Sequence, residues 1–186
     1  IMTEDLNSYM QKIKEGDKDS FRFLATSLGN KMFATASKLM GSNYEHEAED
    51  AVQISLIKLW QTAPRWKNKG SVEGFVYRII FSTCMDLHRR HKLSVELKDQ
   101  DTATKTNLQN DLINLELREI LLMTIKKLPD QQQLAILLHY FSGYSQKEVS
   151  TLLNKSEKAT ESLIIRARKK LKNLLPLNLR EELSNA

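Results

Sequence analysis

Eight basic residues fall within residues 143–172: Lys147, Lys155, Lys158, Arg166, Arg168, Lys169, Lys170 and Lys172. Set against Glu148, Glu157 and Glu161 they leave an excess of +5, which equals the formal net charge of the whole chain. Charge gathered in this way suits a polyanion. A second gathering lies upstream, where RWKNKGS (residues 65–71) mixes Trp66 with Lys67 and Lys69, and where His88, Arg89, Arg90, His91 and Lys92 close a helical pattern. A helix C-terminus favours basic residues through its dipole alone, and the same residues also suit a phosphate backbone. Other chemistry finds less support. His46, His88, His91 and His139 do not make metal-ligand spacing with Cys84 or the acids. The acids Glu45, Glu47, Glu49 and Asp50 could mimic a catalytic cluster, but they read more simply as a solvated or partner-binding helix face, and no glycine-rich phosphate loop accompanies them. No metal, cofactor, small-molecule substrate or enzymatic reaction is therefore expected.

The C-terminal charges need short helices to carry them. Ser145 followed by Glu148 makes a capping box, so a helix should start at Gln146, with Val149, Leu152 and Leu153 as its apolar stripe. Asn154 tolerates the left-handed geometry of a helix end, and Ser156 can cap a second helix. In that helix Ala159, Leu163, Ala167 and Leu171 are expected inward, with Lys158, Arg166, Lys169, Lys170 and Lys172 elsewhere. Two short helices joined by a brief turn suit the major groove of DNA; the alternative is an ordinary helical hairpin kept soluble by its charges.

The remaining elements are helical as well. Leu6, Tyr9, Met10 and Ile13 predict a first amphipathic helix, broken at Gly16 and Asp17. Asp19 or Ser20 can cap the next, with Phe21, Phe23, Leu24, Leu28, Met32, Phe33 and Leu39 as core positions. A long helix runs over about residues 44–63 until Pro64, and another over 72–92 buries Phe75, Val76, Ile79, Ile80, Thr83, Cys84 and Leu87. Residues 65–71 read as an exposed loop between them. Cys84, in an apolar run, reads as a small core residue, and a single Cys excludes an internal disulfide. Periodicity fades over 94–111, which predicts a polar, acidic linker. The second module, 112–175, is expected to close four helices around one small core, and 176–186 form a charged tail. With 41% hydrophobic and 27% charged residues, three Pro and six Gly, the composition predicts an all-α protein of two small helical domains, the C-terminal one a helix-turn-helix. No apolar run reaches the ~18 residues of a membrane span, and the start lacks a signal-peptide pattern, so the chain is expected in the cytoplasm.

This order of features resembles a bacterial RNA polymerase sigma factor of the extracytoplasmic-function group in the sigma-70 family. EAEDAVQISLIKLW (47–60) is similar to the helix that docks on core RNA polymerase; GSVEGFVYRI (70–79) and MDLHRR (85–90) are similar to the segment that reads and melts the promoter minus-ten element; LPDQQQLAILLHYFSGYSQKEVSTLL with RARKKLK is similar to the reader of the minus-thirty-five element. The resemblance implies a region 2 over 1–93 and a region 4 over 112–175. It assigns core polymerase binding to Asp50, Gln53, Leu56 and Lys58. It assigns minus-ten contacts to Trp66, Lys67, Lys69, Phe75, Arg78, Ser82, Arg89 and Arg90. It assigns minus-thirty-five contacts to Lys158, Glu161, Ser162, Arg166 and Lys169. Capturing melted bases calls for aromatic faces beside cations, types that Trp66, Lys67, Lys69, Phe75, Tyr77 and Arg78 supply, while Trp60, Phe75 and Tyr77 read equally as core rings. The partners implied are core RNA polymerase, promoter DNA and an anti-sigma factor.

Three positions depart from the family pattern. Ile54 replaces an acid after the Val-Gln pair, Ser82 replaces an Asn and so loses the amide's paired donor and acceptor, and Glu161 replaces a Lys or Arg. That carboxylate either reads a cytosine amino group or weakens affinity for phosphate. The competing reading is a dimeric helix-turn-helix regulator that binds duplex operator DNA without polymerase.

Overall fold

Gly16, with φ of +93°, turns the chain out of helix α1 (Leu6–Lys14) so that Asp17 can start the next. The computed structural model describes residues 6–41, 44–67, 70–99 and 105–176. Asp17 is the N-cap of α2 (Lys18–Met40), its carboxylate accepting from the N–H groups of Asp19 and Ser20. The predicted caps Asp19 and Ser20 thus lie two and three residues too late, because the side chain nearest the break already satisfies the free N–H groups. Leu24, Leu28, Met32, Ala36 and Leu39 are buried at three- and four-residue steps. Phe21 and Phe33 are only partly buried, and Phe23 points outward at 44% exposure, stacked on Tyr9 at 4.2 Å between centroids.

Helix α3 (Glu45–Thr62) packs on both α2 and α4 and buries Ala48, Ala51, Ser55 and Leu59. Pro64 ends it in a turn of 3-10 helix over Ala63–Arg65. Helix α4 (Val72–Asp99) follows, then α5 (Lys105–Lys126). Both extend helical backbone into the stretch 94–111 whose composition predicts a linker. The predicted end of α4 near Lys92 is thereby corrected. Helix α6 (Asp130–Ile136) passes into one π-helical turn, Leu137–Phe141, before α7 (Gln146–Leu152) and α8 (Glu157–Leu174). Every regular element among the described residues is helical. The expected tail lies outside the described residues beyond Pro176.

The expectation of a self-contained second core does not hold. Leu122 and Ile125 of α5 and Leu137 of the π turn belong to the cluster built on Leu24, Met32, Val76, Ile80 and Cys84. Conversely, Tyr77 of α4 joins Leu134, Leu138, Tyr144, Val149, Leu163 and Ile164. The buried side of α5 thus packs on the first module, while Ile113 and Met123 on its other sides stay exposed.

Candidate nucleic-acid interface

The two-helix unit forms as its sequence predicts. The Ser145 hydroxyl accepts the Glu148 N–H at 3.3 Å while the Glu148 carboxylate accepts the Ser145 N–H at 2.7 Å, so the capping box is complete. Asn154 takes φ of +51°, the left-handed turn expected of it. Ser156 accepts the Ala159 N–H at 3.2 Å and starts α8. One expectation shifts by a residue: Ala159 is exposed, and Thr160 is buried with Leu163, Ile164 and Ala167. A hydroxyl-bearing side chain of apolar bulk takes the inward position that hydrophobicity alone gave to its neighbour.

Lys158, Ser162, Arg166 and Lys169 succeed one another at four, four and three residues and are all exposed, as is Glu161 beside them. The helix's own backbone holds part of this stripe. Ser162 Oγ donates to the Lys158 carbonyl at 3.0 Å, and Arg166 Nε donates to the Ser162 carbonyl at 3.2 Å, which leaves the outer face of the guanidinium open. Ile165 stands within this polar face at 56% exposure. It was missed by the sequence reading, and the available signal was an apolar residue out of phase with the inward stripe. Such a side chain suits the methyl group of thymine in a major groove.

On α4 the residues Arg78, Ser82 and Arg89 share one exposed stripe, and Arg90 is exposed beside it. Phe75 is half-buried and Lys67 exposed, whereas Lys69 lies outside the described residues. Trp66 corrects the expectation of an exposed aromatic loop: it is 5% exposed and packed in the main core, with its carbonyl accepting from Lys14 Nζ at 3.3 Å. Docking of α1 on the 3-10 turn covers the indole. Tyr77 is also fully buried. A cleft of about 500 Å³ has Trp66, Lys67, Phe75 and Arg78 on one wall and Leu134, Leu152 and Leu153 of the second module on the other. A second, of about 450 Å³, sets Arg78, Ser82 and Arg89 opposite Glu119, Lys126 and Asp130. The basic stripe of α4 therefore faces the second module.

Polar and aromatic contacts add to the shared apolar clusters in joining the two modules. The Tyr77 and Tyr144 hydroxyls are 3.3 Å apart, with the rings edge to face at 5.8 Å. Lys31 Nζ lies 3.5 Å from the centre of the Tyr144 ring, and Thr35 Oγ1 donates to Ser142 Oγ at 2.9 Å. Arg118 donates to the Lys38 carbonyl at 2.8 Å, and Lys92 pairs with Glu119. Burial holds the Tyr77 and Tyr144 phenols protonated above the usual tyrosine range.

Along α3, Asp50 and Gln53 are exposed and continue into Ile57, at 57% exposure, a residue the sequence reading passed over. The other two residues grouped with them turn away. Leu56 packs on the core, and Lys58 Nζ donates to Thr83 Oγ1 at 3.1 Å and lies 3.5 Å from Asp86, so it ties α3 to α4.

Known proteins divide the chain along the same lines. Residues 24–93 match the family described as Sigma-70 region 2, and residues 118–171 match Sigma-70, region 4. Over 137 residues the chain is 32% identical to the RNA polymerase sigma factor SigZ of Bacillus subtilis, covering 72% of this chain and 75% of that protein. It is 23% identical over 191 residues to the ECF RNA polymerase sigma-E factor of Haemophilus influenzae, covering 92% and 97%. Among solved structures, CnrH in complex with the cytosolic domain of CnrY is 22% identical, covers 89% of this chain and 94% of that one, and superposes with a TM-score of 0.48. The chain belongs to the sigma-70 family of RNA polymerase sigma factors. Within that family it falls in the extracytoplasmic-function group, as its sequence motifs imply.

Proposed function

We propose that this sigma factor docks on core RNA polymerase through Asp50, Gln53 and Ile57 of α3, sets the enzyme on a minus-thirty-five element with α8, and captures melted minus-ten bases at the α4 face. The observation that carries the reading is the outward stripe Lys158, Ser162, Arg166 and Lys169 on a capped two-helix unit. Early residues of such a helix reach base edges, and the later cations hold phosphate. Glu161 can accept from a cytosine amino group, and Ile165 can pack on a thymine methyl. At the α4 face, Phe75 with Arg78 and Lys67 supplies an aromatic surface beside cations, each stacked base contributing about 1–3 kcal/mol. Ser82 offers a hydroxyl there. Trp66 and Tyr77 support this face from within the core. The chain catalyses no reaction itself. An anti-sigma protein is the further partner that membership of the group implies.

The test is binding of reconstituted holoenzyme to promoters selected from random DNA, over a series of salt concentrations. Replacing Arg166 and Lys169 with Ala is expected to weaken minus-thirty-five binding and to lower the log–log salt slope by about 2, since each phosphate contact accounts for about 0.9. An unchanged slope would remove these residues from the phosphate backbone. Strong protection of a palindromic site by the chain without polymerase would favour a dimeric regulator instead.

A further inference from the structure

His88 lies where α4 meets α5. Its side chain is 4% exposed, and Nε2 is sealed from solvent with no hydrogen-bond partner among the described residues. The ring borders the cleft of about 450 Å³ between α4 and the second module. Its charged neighbours come from both sides of the seam. Arg118 and Glu119 face it from α5 and His91 from α4, while Asp86 and Arg89 of α4, Lys126 of α5 and Asp130 of α6 share its cleft.

A neutral imidazole has one N–H and one acceptor nitrogen, whereas an imidazolium has two donors and a charge. In this seam the second donor finds no acceptor. Glu119, whose charge favours the imidazolium, is already held by Lys92, and Arg118 and His91 oppose a further cation. A buried charge in that position is relieved only when water enters, and water reaches it through the cleft.

We propose that His88 is a protonation switch on the seam between the two modules: the neutral ring lets α5 lie on α4, and the charged ring releases it. Opening would widen the cleft that Arg78, Ser82 and Arg89 line and free their approach from the second module's side. The direction of titration agrees with the geometry. Burial lowers the pKa of His88, opposed by a backbone hydrogen bond involving Leu115 and by the Glu119 carboxylate. The closed form therefore binds fewer protons than the open form. Its advantage is constant well above an ordinary histidine value of about 6.5 and falls as pH drops below it, by up to about tenfold per pH unit until the closed-form value is reached. The other described histidines near the modules' contacts already have partners: His91 Nδ1 lies 3.4 Å from Glu47, and His139 Nδ1 lies 2.9 Å from the Tyr144 carbonyl.

The experiment follows the full chain and its His88→Gln variant by small-angle X-ray scattering from pH 7.5 to pH 5.5, above the ordinary carboxylate range of about 4. Far-UV circular dichroism and the histidine ring signals in NMR are recorded on the same samples. The wild-type chain is expected to expand reversibly with its helicity retained, at the midpoint where His88 titrates, while the Gln variant keeps one radius throughout. Three outcomes overturn the proposal: equal expansion of both proteins, no expansion of the wild type while His88 titrates, or expansion that tracks loss of helicity. Should the variant not fold, the coincidence of ring titration and expansion in the wild type decides alone. These measurements involve neither promoter nor polymerase, so their outcome stands apart from the proposed transcriptional role.

Discussion

Tyr77 and Tyr144 lie far apart in sequence yet share one buried contact, and a double-mutant cycle on them measures how firmly the modules are joined. Replacing either with Phe keeps the ring pair at 5.8 Å and removes one hydroxyl. A net hydrogen bond contributes about 1 kcal/mol, and leaving a buried hydroxyl unpaired costs about 1–3 kcal/mol. The 3.3 Å separation is longer than the ~2.7–2.8 Å typical of O–H···O bonds, which places the coupling near the lower end, about 0.5–1 kcal/mol. Tyr144→Phe, at the less deeply buried position, should cost about 1 kcal/mol. Tyr77→Phe, at the fully buried position, should cost about 1–2 kcal/mol, and the double variant less than the two single costs together. Urea unfolding read by tryptophan fluorescence is the assay, since Trp60 and Trp66 both report on the first module. Tyr144→Phe should move that transition at constant m-value, although residue 144 belongs to the second module. A fluorescence transition that stays put, or single costs additive to within ~0.3 kcal/mol, would refute the shared seam.

Cys84 and the α7 cap give two further tests. Burial pushes the Cys84 thiol up to about 12, so thiolate is roughly 10³-fold scarcer than in the unfolded chain, and disulfide-exchange reagents at pH 8 should label it only as fast as the chain opens. Labelling at the rate of a free thiol would contradict its core position. Ser145→Ala removes the hydroxyl that accepts the Glu148 N–H and should lower the stability at pH 7 by about 1 kcal/mol. The Ser145 side-chain and backbone hydrogen bonds hold the Glu148 carboxyl below its usual value, so their contribution is present above that value and lost as pH falls through the lowered one. The gap between wild type and variant in urea midpoint should therefore narrow at pH 3.

What was legible in the sequence depended on how local the cause was. The boundaries of α7 and α8 follow from Ser145, Glu148, Asn154 and Ser156, whose side chains or backbones act within three residues of themselves, and each did what its type allows. Trp66 was misplaced because a ring among lysines has the composition of a stacking surface. Its burial depends on α1 docking against the 3-10 turn, through Lys14, over fifty residues away in sequence. Leu122, Ile125 and Leu137 were identifiable as apolar, but a stripe of leucines states only that a face will be buried and leaves its partner open. Ile57 and Ile165 show the converse. They break the inward period, so their exposure was readable, yet an isolated exposed apolar residue is ordinary until it stands beside Asp50 and Gln53, or beside Ser162 and Arg166, on the faces proposed for polymerase and DNA. The same limit applies to the seam. Thr35 with Ser142 and Tyr77 with Tyr144 are unremarkable residue types, and only the packing of the π turn and the loop after it on α2 and α4 brings them together. Both proposed recognition surfaces were thus readable as collections of side chains, whereas the docking of α5 and α6 along the α4 face arises from contacts that no local spacing encodes.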